Sequence, residues 1–263
     1  MNKDNNAVVV YPAYNGNGLT GAVASRIVEV FADYTKAIIP LVNGPDEKQL
    51  QEVAWSAIPG LVPLVIKPEA LQGRGLVGAL VTGIECVYAM YPDCAIVRKD
   101  PDHNPIEALT LLLLAQEYPT RMVGGNRVYE GRRDLMPSEY DYETHERYFP
   151  EELYGKATNG RVRVGCAHGY FALGRGLPIK EILSFIKNLI EKVESNLGGR
   201  MAWGFDASVY LAVDLLQRQG RATLQVIDFP AMTERIRPDA KVTQQRINHK
   251  CLTDIFTSEF GSE

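Results

Sequence analysis

The chain reads as an α/β sandwich on a mostly parallel sheet, and three features of its sequence predict this. Strand, loop and helix patterns alternate four times before residue 117, the order that lays helices on both faces of a parallel sheet. The strand-like runs are continuously apolar, as in Ala7-Val8-Val9-Val10-Tyr11, which fits strands covered on both sides. The run Ala95-Ile96-Val97 then leaves the apolar layer abruptly as Arg98-Lys99-Asp100-Pro101-Asp102-His103-Asn104-Pro105. Open α/β sheets bind ligands at the carboxyl ends of their strands, so this cluster is the first candidate site. The plainer alternative is a polar turn that only closes a strand.

The elements follow in order. The first strand breaks at Pro12-Ala13-Tyr14-Asn15-Gly16-Asn17-Gly18, and Val23, Ile27, Val30 and Phe31 then line one helical face. These glycines form no GxGxxG fingerprint, and no lysine follows to make a phosphate loop. A second strand, Ala37 to Val42, ends in Asn43-Gly44-Pro45-Asp46, with a helix expected from about Glu47 to Ala57. A third strand, Leu61 to Ile66, leads through Gln72-Gly73-Arg74-Gly75 into a helix of small residues from Leu76 to Met90. Asn104-Pro105 introduces another helix. Between Ile179 and Leu197, the residues Ile182, Phe185, Ile186, Leu189, Ile190 and Val193 recur by three and four, an amphipathic pattern with mixed charge on its outer face. A further helix is expected from Ala207 to Gln217.

Composition excludes several classes. A chain of 263 residues with 46% hydrophobic and 23% charged residues has the make-up of a soluble globular domain with a sizeable core. Its net charge of -4 gives no pull toward nucleic acid or anionic lipid. The cysteines, Cys86, Cys94, Cys166 and Cys251, lack CxxC spacing and disulfide-scaffold density, so a reducing, cytoplasmic setting is expected. No signal peptide is visible, and no apolar run approaches the roughly 20 residues of a membrane span.

The loops in this order resemble the family 2 glycosyltransferases. Val10-Tyr11-Pro12-Ala13-Tyr14-Asn15 is similar to that family's first strand and Pro-Ala-Tyr-Asn-Glu loop. Gly73-Arg74-Gly75 with the following helix resembles its Gly-Lys-Gly segment, and Val97 to Pro105 its Asp-x-Asp-Gly-Gln-His-x-Pro strand end. Arg121 to Tyr129 resembles the strand leading to Gly-Ser-Arg-Tyr. Cys166 to Leu173, Trp203-Gly204-Phe205-Asp206 and Gln225 to Pro230 follow in register, and the nearest look is the dolichyl-phosphate-mannose-synthase-like branch. The resemblance covers about residues 7–245.

That resemblance implies the GT-A fold, a three-layer sandwich in a single domain spanning 1–263. Residues 7–130 would form the nucleotide-binding half, 131–245 the acceptor-side half and 246–263 a C-terminal tail. It implies a hexosyltransferase that binds a nucleotide-diphosphate sugar through Pro12, Ala13, Tyr14, Asn15, Asn43, Gly73, Arg74, Arg98, Asp100 and Arg127. Asp100 would lie near the diphosphate and Asp206 on the acceptor side as the base, while the plain reading of Asp206 is a helix cap. The acceptor would be a sugar, a small molecule or a lipid phosphate, although the chain shows no integral membrane segment. A homo-oligomer is open, since the amphipathic helix offers a dimer face.

Three acidic positions of the family pattern are absent. The first metal-site aspartate becomes Arg98, the Asp-Asp-Gly-Ser after the second strand becomes Val42-Asn43-Gly44-Pro45, and the glutamate after Pro-Ala-Tyr-Asn becomes Gly16. A guanidinium offers a fixed charge and a donor fork suited to phosphate, so Arg98 is a candidate substitute for the cation, or else a structural partner of Asp100 or Asp102. In another register Asp100, Asp102 and His103 would themselves hold Mn²⁺ or Mg²⁺. The missing acids motivate two rivals: a catalytically degenerate homologue that binds nucleotide or a partner, and a nucleotidyltransferase-type enzyme. His145, His168, Trp203, the tyrosine-rich run 139–148 and the basic residues Arg235, Arg237, Lys241 and Arg246 are weaker candidates.

Overall fold

All seven residues of β1 (Ala7–Ala13) are buried, so the strand needs both faces covered and both edges paired. It pairs in parallel with β2 (Ala37–Asn43) on one side and β4 (Ala95–Arg98) on the other. The computed structural model describes residues 6–13, 21–43, 58–101, 104–128, 148–162, 170–201, 204–230 and 240–261, with backbone alone at 126–128, 148–152, 230 and 240–246. Within them, β3 (Leu64–Ile66), β5 (Arg121–Val128), β6 (Phe171–Leu173) and β7 (Thr223–Pro230) complete a seven-stranded sheet. Its order is β3-β2-β1-β4-β6-β5-β7. Only β6 runs against its neighbours, antiparallel to both β4 and β5. The mostly parallel α/β sandwich is as the sequence predicts.

Alternating residues of β4 serve opposite faces. Ala95 and Val97 meet the layer of α1 (Gly21–Phe31) and α4 (Pro105–Glu117) through Ile27, Phe31, Ala108 and Leu111. Ile96 faces the thicker layer of α3 (Gly75–Met90), α5 (Tyr148–Ala157), α6 (Ile179–Leu197), α7 (Phe205–Arg218) and α8 (Ala240–Phe260). The same parity puts Arg98 on the α7 side. A single turn of helix, α2 (Pro68–Leu71), precedes α3. Asn104 caps α4, accepting a hydrogen bond from the Ile106 N–H at 3.1 Å, with Pro105 at the first helical position, as the Asn-Pro step suggests.

Some boundaries differ from the sequence reading. The third strand covers only Leu64–Ile66, and Leu61 makes an isolated bridge to Ile38. Pro63 lies between them and has no N–H to continue the ladder. The helix expected at 47–57 and residues 139–147 lie outside the described residues, whereas Tyr148 begins α5. The segment read as a tail from residue 246 continues α8, because Leu252, Ile255 and Phe256 bury against the core. Phe256 meets Phe185 of α6 edge-on at 6.4 Å and Phe260 at 5.5 Å. Among the described residues no helix is long and apolar enough to cross a membrane.

The thick layer is pinned by a buried carboxylate. Asp214 of α7 is fully buried and accepts Arg161 Nε at 2.7 Å and Arg218 Nε at 2.9 Å. Arg218 also donates to the Phe260 carbonyl and lies over the Phe256 ring. One aspartate thus ties the turn after α5 to α7 and, through Arg218, to α8. Removing one member of a buried ionic group leaves the others uncompensated. Asp214→Ala should therefore cost about 3–5 kcal/mol, read as a lower urea midpoint, while Asp254→Ala at the exposed Lys250 pair should leave it almost unchanged.

Candidate active site at the carboxyl edge of the sheet

The strand order reverses between β1 and β4, where the chain leaves toward β2 and β3 on one side and toward β6, β5 and β7 on the other. A crevice opens at such a switch point, beyond the carboxyl ends of the strands. Pro12 and Ala13 end β1 there, Asn43 ends β2 and Arg98 ends β4. The backbone of Arg127, near the end of β5, lies on the same edge, since β5 and β4 both run antiparallel to β6. Asn43 is 9% exposed, and its Oδ1 has no hydrogen-bond partner among the described residues. Tyr14, Asn15, Asp102, His103, His145, His168, Trp203, Arg235 and Arg237 lie outside the described residues, as do the side chains of Arg127, Lys241 and Arg246.

Arg98 is the centre of this edge. It is 1% exposed, a burial that costs several kcal/mol unless the guanidinium is paired. Its Nη2 lies 2.9 Å from Asp100 Oδ1, and its Nε lies 3.3 Å from Asp206 Oδ1. The second contact is an ion pair outside hydrogen-bond geometry, because neither Arg98 Nε nor Asp206 Oδ1 has a hydrogen-bond partner among the described residues. Lys99, also buried, donates from Nζ to the carbonyls of Asp100 at 2.5 Å and Pro101 at 3.3 Å.

Asp206 reaches this pair from the other layer. Gly204 precedes α7 with φ +106°, and a Cβ there would stand 2.6 Å from Leu252 and 2.7 Å from Met201. Only glycine meets both demands, and the turn it permits drops buried Phe205 into the core and carries Asp206 over the strand ends. Gly204 itself is the N-cap, without a side-chain bond, so the helix-cap reading of Asp206 does not hold. Asp206 sits inside the first turn, where the helix field favours negative charge, and spends its carboxylate on Arg98.

One turn further along α7, Tyr210 lies against β5. A Cβ on Gly124 would come within 2.0 Å of the Tyr210 hydroxyl, and one on Gly125 within 2.1 Å of the Tyr170 ring. The two glycines thus clear opposite faces of β5 for two tyrosines. Burial raises the Tyr210 hydroxyl above the usual phenol range, with Asp206 and Tyr170 adding to the rise and Arg98 opposing it, so the phenol stays neutral. Burial likewise raises Asp206 from 3.8 to about 7, against the pull of Arg98 and with a further push from Asp100. A carboxyl poised near neutrality suits proton transfer.

Gly73 and Arg74 precede α3, and the Arg74 guanidinium is engaged by α6. It makes two 2.9 Å hydrogen bonds to Glu194 of α6, which also accepts Arg200 Nη1 and the Met201 N–H at 3.0 Å each. Burial opposes the charge on Glu194, but these donors outweigh it and hold the carboxyl at about 2. The clamp fixes Met201, against which Gly204 packs, so Arg74 supports the placement of Asp206.

The described residues do not fit a divalent cation. Among the described residues, which leave out Asp102 and His103, no three carboxylate, imidazole or thiol groups stand close enough together to ligate one. Asp100 and Asp206 are the nearest oxygen donors, and a buried guanidinium already lies between them. A cation on either would face that like charge at close range, where each unit pair about 4 Å apart repels by roughly 4 kcal/mol at an effective permittivity near 20.

No protein-family model matches the chain, and no curated protein sequence is similar to it. Solved structures do match. Glucosyl-3-phosphoglycerate synthase from Mycobacterium tuberculosis, in complex with Mn²⁺, UDP and glucosyl-3-phosphoglycerate, superposes with a TM-score of 0.59 at 17% identity over 98% of this chain and 81% of that one. The same enzyme with Mn²⁺, UDP-glucose and glycerol 3-phosphate gives 0.58 at 17% identity over the same shares. Its complex with phosphoglyceric acid gives 0.59 at 16% identity, again over 98% and 81%. The chain has the GT-A fold. At this identity the likeness fixes the architecture, and residue roles rest on the geometry above.

The sequence marked Arg98, Asp100 and Asp206 as candidates, and the fold brings all three into contact. It placed Lys99 in the candidate cluster without a role and did not mark Tyr210 or Glu194. Tyr210 follows Asp206 by four residues, the spacing that places two side chains on one helical face, and that was its one local signal. Glu194 reads as part of an ordinary charged helix face. Asp206 yields a test. Its folded proton affinity exceeds its unfolded one, so its contribution to stability is complete below about pH 4 and is lost as pH rises through about 7. Carbon-detected NMR of the Asp206 carboxyl should give a midpoint near 7, and Asp206→Asn should remove this component from the pH-stability curve.

Proposed function

We propose that this protein transfers a sugar from a nucleoside-diphosphate donor to an acceptor hydroxyl, with Asp206 as the general base. The observation that carries the reading is a carboxyl, its side chain 17% exposed, that is paired with the buried Arg98 at the carboxyl end of the strands of a GT-A sheet and raised to about 7. In the transfer, the acceptor oxygen bonds to the anomeric carbon as its proton passes to Asp206. The carbon–oxygen bond to the diphosphate breaks, and its electron pair leaves with the nucleoside diphosphate. Asp100 stands near the diphosphate and orients Arg98, and Pro12, Ala13 and Asn43 form the wall on which the nucleoside rests. The family 2 resemblance of the sequence supports this reading, as do the UDP-glucose and UDP complexes of the structural neighbours. Phosphoglyceric acid and glycerol 3-phosphate, bound in those neighbours, are the first acceptors to try.

One observation favours a second reading, a nucleotide-binding protein without catalysis. Both carboxylates at the edge are tied to Arg98, and a base in an ion pair gives up part of its proton affinity. Turnover decides between the two. Sugar transfer or donor hydrolysis should be detected with UDP- or GDP-sugars, and Asp206→Asn should lower kcat by about 10²–10⁴ while leaving the donor Kd unchanged. Donor binding with no turnover across these acceptors would establish the binding protein instead.

A further inference from the structure

We propose that the diphosphate of the donor is held by the Arg98 guanidinium in place of a divalent cation, so that this chain binds nucleotide without metal. The inference rests on the donor reading above and adds the chemistry of its counter-charge. Arg98 is fixed at the carboxyl end of β4, with Nη2 on Asp100 at 2.9 Å and Nε 3.3 Å from Asp206. Its Nε and Nη1 are buried and make no hydrogen bond to any described residue. Buried donors left over from a paired guanidinium are costly, and phosphate oxygens are acceptors whose spacing matches the guanidinium fork. Asp100, with its side chain 30% exposed, marks the open side of the pair.

The two carboxylates bear on the same point. A cation needs free oxygen ligands, yet Asp100 and Asp206 both face the guanidinium, so a metal ion would have to displace Arg98 from a site in which it is 99% enclosed. Lys99 adds a second buried nitrogen donor, its Nζ turned to the Asp100 and Pro101 carbonyls. The edge thus sets the Arg98 guanidinium and the Lys99 amine beside two carboxylates. That balance receives an anion without a metal.

The test is calorimetric titration of UDP and GDP into the whole chain stripped of metal by chelator, with Mn²⁺ or with EDTA. The Kd should agree within about threefold between the two buffers. Arg98→Ala should weaken binding by at least about tenfold. Arg98→Lys, which keeps the charge that Asp100 and Asp206 need, should fold, bind less tightly than the parent and remain indifferent to EDTA. Binding that requires Mn²⁺ would overturn the inference and leave the donor reading standing. Unweakened binding in both variants would overturn it equally. Absence of binding for both nucleotides in both buffers would overturn the donor reading itself, and this inference with it.

Discussion

The buried guanidinium of Arg98 is the constraint to which the rest of the site answers. A charge that is 1% exposed at the end of a central strand needs carboxylates brought to it, and they come from different parts of the chain. Asp100 is local, two residues along the same strand exit. Asp206 arrives from α7, across the layer boundary, more than a hundred residues later. The ion pairs are therefore also a tie between sheet and helix layer, and they set the electrostatics of the crevice. Burial pushes the Asp206 proton affinity up, Arg98 pulls it back, and the outcome near neutrality is a balance between two large opposing effects.

Much of the surrounding structure keeps that tie in register. Gly204 lets the chain turn into α7 at a backbone angle and a closeness to Leu252 that a side chain would forbid. Gly124 gives Tyr210 its seat, and the Phe171 ring meets Tyr210 edge-on at 6.4 Å. The Arg74–Glu194–Arg200 clamp holds the segment just before Gly204. Asp214, two turns beyond Asp206 on the same helix, locks α7 to its neighbours through Arg161 and Arg218. A carboxyl held this firmly is preorganised relative to Arg98.

Comparison with the glucosyl-3-phosphoglycerate synthase structures sharpens what is particular here. Those structures hold Mn²⁺ with UDP or UDP-glucose on a sheet of the same architecture. In this chain the carboxyl end of β4 carries a guanidinium between two carboxylates. A shared fold does not fix the chemistry of its strand ends, because the fold supplies position and the side chains supply chemistry.

By itself the sequence determined the sandwich and its parallel character, and it pointed to one strand-end edge as the candidate site. Those features are written in local patterns: unbroken apolar runs at Ala7 and Ala37, the helical spacing from Ile179 to Leu197, and the sudden change of polarity at Arg98. It also marked Asp206 as a residue to watch, but left open whether it capped a helix or met a substrate. Tertiary structure excluded the cap, because Gly204 holds the N-cap position of α7 and Asp206 lies inside the first turn, paired with Arg98. It also decided that Arg74 serves Glu194, that the C-terminal residues form a packed helix, and that Tyr210 belongs with Asp206. Such pairings join residues far apart in the chain through distances of a few ångströms, and no periodicity along the sequence encodes them.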